Sequence, residues 1–420
     1  MPMPFRALSL LFLLLAGCAG TTPLTLMNTP VIYQQAAVDP FAHLPEAERV
    51  PPVAVFYASN RGRSGAAFGN AISNELHLGR ASVQLGVPDD DWPDLYQASI
   101  SEIRERELPL ALTRVENLSQ LDLATPLPTQ LNAAQQAYVD AINFELAKAR
   151  DKEIIIYVHG AKVDFANACE LMGEIVHFAG RDFVGVAFSW PSHQNILSYL
   201  TGTDVRRARD SQAALASLIE LLARHTNAER INLIAYSAGA RVASLALPTL
   251  QNRHPRLNAR QLKEHYRVGA VVFAAGDVPE ELFEQRLSAI SRLAEQVLIT
   301  LSDRDDALEY ARRLMAGGAR IGSSRAEESL HHFTHDWHLD NVTLLDVSSH
   351  QAERGFDIAG HHYWYRHAWA SSDVILLMRT NLPPWQRGLT VSDSAELWYM
   401  DRNYPDNVRN AVRRALKGQW

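Results

Sequence analysis

Cysteine is almost absent: the 420 residues contain two, Cys18 and Cys169. A disulfide framework is therefore excluded, and so is a cysteine-rich zinc site. An excess of positive charge is also missing. Lys and Arg number 40 against 47 Asp and Glu, for a net charge of -7. Non-specific nucleic-acid binding needs a positive surface to replace phosphate counterions, so no nucleic-acid partner is expected. Apolar residues make up 47% and charged residues 21% of the chain, which excludes wholesale disorder. There is no internal repeat, and no linker divides residues 53 to 420. One large domain is expected there.

Long apolar runs are confined to the amino terminus. Arg6 precedes a run from Ala7 to Ala16. A bilayer needs roughly 20 apolar residues, so this run is too short to span one and fits a secretory signal. It ends in Leu15-Ala16-Gly17-Cys18, which resembles a bacterial lipobox. That resemblance implies cleavage after residue 17 and lipidation of Cys18, with several acyl chains holding the protein to a membrane. Ala19 follows the cysteine rather than Asp, which in such lipoproteins implies the outer membrane of the cell envelope. Residues 18–52, rich in Thr, Pro and Ala without sustained period, read as the lipidated tether.

The folded part begins with the strand-like Val53-Ala54-Val55-Phe56-Tyr57. Arg61 to Leu112 reads as hairpins and loops. Tyr138, Ile142 and Leu146 recur every four residues, marking an amphipathic helix over residues 132–150. Then strands and helices alternate. Apolar strands are expected at Ile154 to Val158, Phe183 to Phe188, Ile231 to Ala235, Val271 to Ala275, Val297 to Leu301 and Val342 to Leu345. A helix over residues 204–224 would be capped by Thr203 or Asp204, and a helix from Ala238 would stop at Pro248. This order predicts an α/β fold, a mostly parallel central sheet with helices on both faces.

The chemistry concentrates in Ile231-Asn-Leu-Ile-Ala-Tyr-Ser237-Ala-Gly239. A strand runs into a serine flanked by small residues, and a helix begins at once. This is a nucleophile elbow, whose tight turn demands small residues two positions away on either side. Ala235 and Gly239 meet that demand. A serine needs a base, and the base an orienting acid. In α/β-hydrolases they follow in the order Ser, acid, His. Past the strand ending at Leu301 stand Asp303, Asp305 and Asp306, of which Asp305 is the choice. Asp277 is an outside candidate for the acid. The general base is His361, with His362, His350 and His367 as alternatives. The oxyanion would meet the backbone N–H groups of Ala161, in His159-Gly160-Ala161, and of Ala238. His159 precedes the serine and reads as structural.

These motifs resemble the bacterial α/β-hydrolase family grouped under a domain-of-unknown-function label. The matching pieces are Val55 to Arg61, Tyr157 to Gly160, Phe188-Ser189-Trp190-Pro191-Ser192, the Ser237 elbow, Ser302-x-x-Asp305-x-Ala307-Leu308 and Gly360-His361-x-Tyr363. The resemblance implies an α/β-hydrolase fold, an esterase-like or lipase-like activity, and Asp305 and His361 over their neighbours. The sequence departs from the family pattern at Ala161-Lys162, where Tyr-Asn is usual.

The expected function is a membrane-anchored serine hydrolase that cleaves carboxylic esters, small or lipidic, through an acyl-enzyme and without cofactor. An acyltransferase or lipase on the same triad, or a non-catalytic binding lipoprotein, is the alternative. His331 to His338 holds four histidines, and His331 and His335 would share a helix face. No Glu completes a zinc motif, so no metal is assigned, and the segment is expected to border the pocket. Trp190, Trp337 and Trp364 could line an acyl pocket or simply the core. Cys169 reads as a small buried hydrophobe.

Overall fold

The computed structural model describes residues 23–36, 38–65, 67–195, 198–199, 201–302, 319–323, 339–348, 367–392 and 397–416. The strands are β1 (Val53–Ser64), β2 (Ala67–Leu85), β3 (Leu110–Asp122), β4 (Glu153–Val158), β5 (Val184–Ser189), β6 (Arg230–Tyr236), β7 (Val268–Ala274), β8 (Ala294–Leu301), β9 (Val342–Asp346), β10 (Thr390–Val391) and β11 (Leu397–Tyr399). They form one sheet in the order β10-β11-β9-β8-β7-β6-β4-β5-β1-β2-β3. From β11 to β1 every pairing is parallel. β10 at one edge is antiparallel to β11, and toward the other edge β2 is antiparallel to both β1 and the edge strand β3.

The α-helices are α1 (Trp92–Ile100), α2 (Ala133–Lys148), α3 (Phe165–Phe178), α4 (Thr203–Asp210), α5 (Gln212–His225), α6 (Gly239–Arg253), α7 (Ala259–Tyr266), α8 (Glu280–Leu293), α9 (Ala368–Thr380) and α10 (Tyr404–Leu416). They cover both faces of the sheet. Every residue of β4 and β5 is buried, which is why these strands are apolar throughout rather than alternating. Successive side chains still point to opposite faces. Ile154, Ile156 and Val158 pack with α2, α5, α6 and α8, whereas Ile155 and Tyr157 pack with α3, α9 and α10. The α/β expectation is met.

Several local expectations are corrected. Residues 204–224 form two helices, α4 and α5, that meet at Ser211, whose Oγ accepts from Asn60 Nδ2 at 2.9 Å. Neither Thr203 nor Asp204 caps α4. Gly202 occupies the cap at φ 77°, and the Asp204 carboxylate turns instead to His193. Pro248 does not end α6, which continues to Arg253. Leu247 and Leu250 stay on its fully buried face, so tertiary packing outweighs the hydrogen bond that proline removes. Arg61 to Leu112 holds the hairpin between β1 and β2, as expected, and adds the helix α1, which the sequence reading lacked.

Residues 24–44 depart furthest from the tether reading of 18–52. They lie as a strap on the face occupied by α3 and α9, with Leu26, Met27, Val31, Ile32, Tyr33, Phe41 and Leu44 buried. Leu110 N donates to Leu24 O at 2.7 Å, Leu26 N to Leu108 O at 2.8 Å, and Val31 N to Ala368 O at 3.1 Å. Cys18 lies outside the described residues. No helix among the described residues is long and apolar enough to cross a membrane.

The strap covers Glu174 of α3. Its Oε2 accepts the Met27 N–H at 2.8 Å. Burial pushes this carboxyl up to about 8, against the opposing pull of that N–H and of the Arg104 guanidinium. An unfolded glutamate releases its proton near 4.5. Between these values the folded chain holds a proton that the unfolded chain has lost, so this group's contribution to stability falls as pH rises. Glu174→Gln removes that dependence. In denaturant melts from pH 5 to 8, wild type should lose stability relative to Glu174→Gln by up to about 1.4 kcal/mol per pH unit. Parallel pH curves for the two proteins would show that the strap does not bury an ionisable carboxyl.

Candidate active site

The parallel strands align so that their carboxyl ends lie along one edge. Val158 pairs with Ala235 across β4 and β6, and Val158 with Phe188 across β4 and β5. Next to the β4–β6 pair come His159-Gly160 on one strand end and Tyr236-Ser237 on the other. Loops at this edge of a parallel sheet are where ligands bind.

Ser237 occupies the turn between β6 and α6 with φ 52°, the left-handed region that serine rarely enters. Its conformation is held from three sides. Ser237 N donates to Ala274 O at 2.9 Å, and Ser237 O accepts from Ala240 N at 3.0 Å and Asp277 N at 3.1 Å. The small residues of the elbow are required by contact. A Cβ on Gly239 would lie 2.2 Å from Val158 O and 2.6 Å from His159 O. A Cβ on Gly160 would lie 3.1 Å from the Cβ of Ser237. The helix therefore starts hard against the end of β4, and the Gly160 loop lies against the serine. Ala238 precedes the first turn of α6, so no carbonyl of that helix can take its N–H, and the helix dipole favours negative charge there. Such a turn presents an oxygen nucleophile above a helix N-terminus and beside a backbone loop, the geometry of acyl transfer.

The loop after β4 is braced from below. His159 is fully buried, with Nδ1 2.8 Å from Gly160 O, and its ring stacks on Trp190 at 5.3 Å. Trp190 Nε1 donates to His159 O at 2.7 Å. Trp190 thus supports the loop as a core aromatic. Burial, followed by the Arg61 guanidinium, pushes the His159 imidazole down to about 3.

Of the other residues singled out in the sequence, Asp277 is buried and bound to two guanidinium groups. Arg320 Nε lies 2.9 Å from its Oδ1 and Arg241 Nη2 3.3 Å from its Oδ2. His367 accepts from Trp369 N at 3.2 Å and Ala370 N at 3.4 Å, capping α9. Cys169 is a buried free thiol. Asp303, Asp305, Asp306, His350, His361, His362, Trp337, Trp364 and the cluster from His331 to His338 lie outside the described residues. Among the described residues no group of three or more His, Cys, Asp or Glu is arranged to hold a metal ion.

The sequence reading missed one pair. His193, in the loop after β5, has its Nδ1 2.7 Å from Oδ1 of the fully buried Asp204, and its N–H also donates to that carboxylate. The chain order Ser, acid, His points past residue 237. No spacing signal joins two residues eleven apart on either side of a loop.

The family model described as an alpha/beta hydrolase of unknown function (DUF900) matches residues 134–374, more than half of the chain. The chain belongs to this family. The match runs from α2 through β4, the Ser237 elbow and β9 into α9, so the parallel core described above is an α/β-hydrolase sheet. The solved structure of Pyrococcus horikoshii acylaminoacyl peptidase is similar at 10% identity with a TM-score of 0.32. That match covers 74% of this chain and 55% of the peptidase chain, and a likeness so distant carries no argument. Among curated proteins none matches.

The left-handed backbone at residue 237 has a stability consequence independent of catalysis. Alanine there retains the strain of a Cβ at positive φ, and glycine relieves it. Both substitutions remove the hydroxyl equally. Ser237→Gly should therefore be more stable than Ser237→Ala by about 1 kcal/mol in denaturant melts. Equal stabilities, or the opposite order, would mean that the elbow is not strained.

Proposed function

We propose that this α/β-hydrolase is a serine hydrolase acting on carboxylic esters through an acyl-enzyme. The observation that carries the reading is Ser237 held at φ 52° between β6 and α6, with Gly239 packed too closely for a side chain and Gly160 set tightly against Ser237. Ser237 Oγ attacks the acyl carbon as His361 takes its proton. The imidazolium returns that proton to the departing alcohol oxygen, and the same base activates water to release the acid. Asp305 orients the ring. The Ala161 and Ala238 amides receive the oxyanion. Support for the two partners comes from topology. β8 and β9 both end at the carboxyl edge that carries Ser237; in the sequence Asp305 follows β8 by four residues and His361 comes after β9. Lipidation at Cys18, with the enzyme attached to the bacterial envelope, completes the proposal. It is supported by Leu15-Ala16-Gly17-Cys18 after the apolar run.

A rival base has a specific observation in its favour. His193 already forms a short contact with a buried carboxylate at the same edge. Hydrolysis of p-nitrophenyl acetate separates the two. Ser237→Ala should lower kcat by about 10⁴-fold or more. His361→Asn should fall comparably while His193→Asn retains most activity; the reverse assigns the base to His193. The base must be neutral to accept a proton, so kcat/KM should rise through pH about 6.5 and level above it. Activity undiminished in Ser237→Ala would end the serine mechanism.

A further inference from the structure

The loop that meets Ser237 is aimed by side chains that never reach the substrate. A carbonyl oxygen only accepts, so the 2.8 Å contact between His159 Nδ1 and Gly160 O requires the ring proton on Nδ1. Nε2 is then the acceptor, and Arg61 Nη2 stands 3.5 Å from it. Arg61 is itself buried and tied on three sides. Its Nε donates to Ser189 Oγ at 2.8 Å, Nη1 to Asn70 Oδ1 at 2.9 Å, and Nη2 to Val163 O at 2.6 Å. The last of these carbonyls belongs to the loop that contains Ala161. One guanidinium therefore joins the ends of β1 and β5 to the loop after β4.

The geometry of a peptide bond converts this brace into an aim. In a trans peptide the C=O and N–H point in opposite directions. No peptide bond among the described residues is cis, so fixing Gly160 O fixes the direction of the Ala161 N–H. This peptide lies against the nucleophile, since a Cβ on Gly160 would stand 3.1 Å from that of Ser237. We infer that Arg61 and His159 are positioning residues for the oxyanion hole: the guanidinium selects the imidazole tautomer, and the imidazole orients the Ala161 amide. The inference rests on the proposed serine mechanism and extends it to residues remote from the reacting atoms. A fully buried, uncharged imidazole meets the requirement of one tautomer at all working pH. The contacts span positions 61, 159 and 189, on three strand ends that only the folded sheet brings together.

The test compares His159→Phe and His159→Asn by steady-state hydrolysis of p-nitrophenyl acetate, with melting curves alongside. Phenylalanine keeps the ring stacked on Trp190 and removes the donor. Asparagine Nδ2 restores a donor close to where Nδ1 stands. Loss of one oxyanion donor costs roughly 100- to 1,000-fold in rate. His159→Phe is expected to lose kcat by about 100-fold with KM changed by less than about threefold, and His159→Asn to recover at least about tenfold of it. A merely structural role would lower the melting point without this split between kcat and KM. His159→Phe with wild-type kcat, or both variants equally impaired, overturns the inference. If His159→Phe does not fold, His159→Asn decides alone. A kcat within about tenfold of wild type supports the positioning role, and a 100-fold loss with an unchanged melting curve overturns it. An inert wild type would overturn the serine mechanism itself, whereas an active wild type matched by His159→Phe overturns only this inference.

Discussion

The site around Ser237 depends on one close contact: the first turn of α6 pressed against the carboxyl end of β4. Gly239 meets the carbonyls of Val158 and His159 with no room for a Cβ, and this approach leaves Ser237 only a left-handed turn in which to join strand to helix. A serine in that region carries a backbone cost of roughly 1–2 kcal/mol. The surrounding hydrogen bonds from Ala240 and Asp277 to its carbonyl over-determine the turn, so the strain is held rather than relaxed. The same contact brings the Gly160 peptide beside the serine. The position of Ser237, the Gly160 loop and the helix N-terminus are thus consequences of a single packing event.

Around it the structure is buttressed by buried polar groups in place of a looser apolar filling. Arg61 ties β1 to β2, to the end of β5 and to the loop after β4 through neutral acceptors, and Asp277 draws Arg241 and Arg320 under the elbow. Removing one member of such a network leaves its partners buried without their bonds, which costs more than the bond itself gave. These groups hold the backbone around Ser237 in place.

The parallel core was legible because a strand buried on both faces is a contiguous apolar run, as in Ile154-Ile155-Ile156-Tyr157-Val158. The elbow was legible because its requirements are local: small residues at 235 and 239 around a serine between strand and helix. What escaped notice depends on distant partners. The strap of residues 24–44 has no period of its own, and it is buried because Glu174, Leu108 and Ala368 supply its hydrogen bonds. Arg61 reads as an ordinary strand-end residue until β5 and the loop after β4 fold around it. Asp204 looks like a helix cap and instead holds His193. Pro248 looks like a helix stop and is overridden by the apolar face that continues through Leu250. Asp305 and His361 rest on chain order and resemblance, and both lie outside the described residues.

The most direct measurement is mass spectrometry of the protein after reaction with a fluorophosphonate, with the modified peptide sequenced. The account predicts one phosphonyl group per chain, attached to Ser237 and displacing fluoride. An unmodified chain, or a modification carried by another residue, would contradict it.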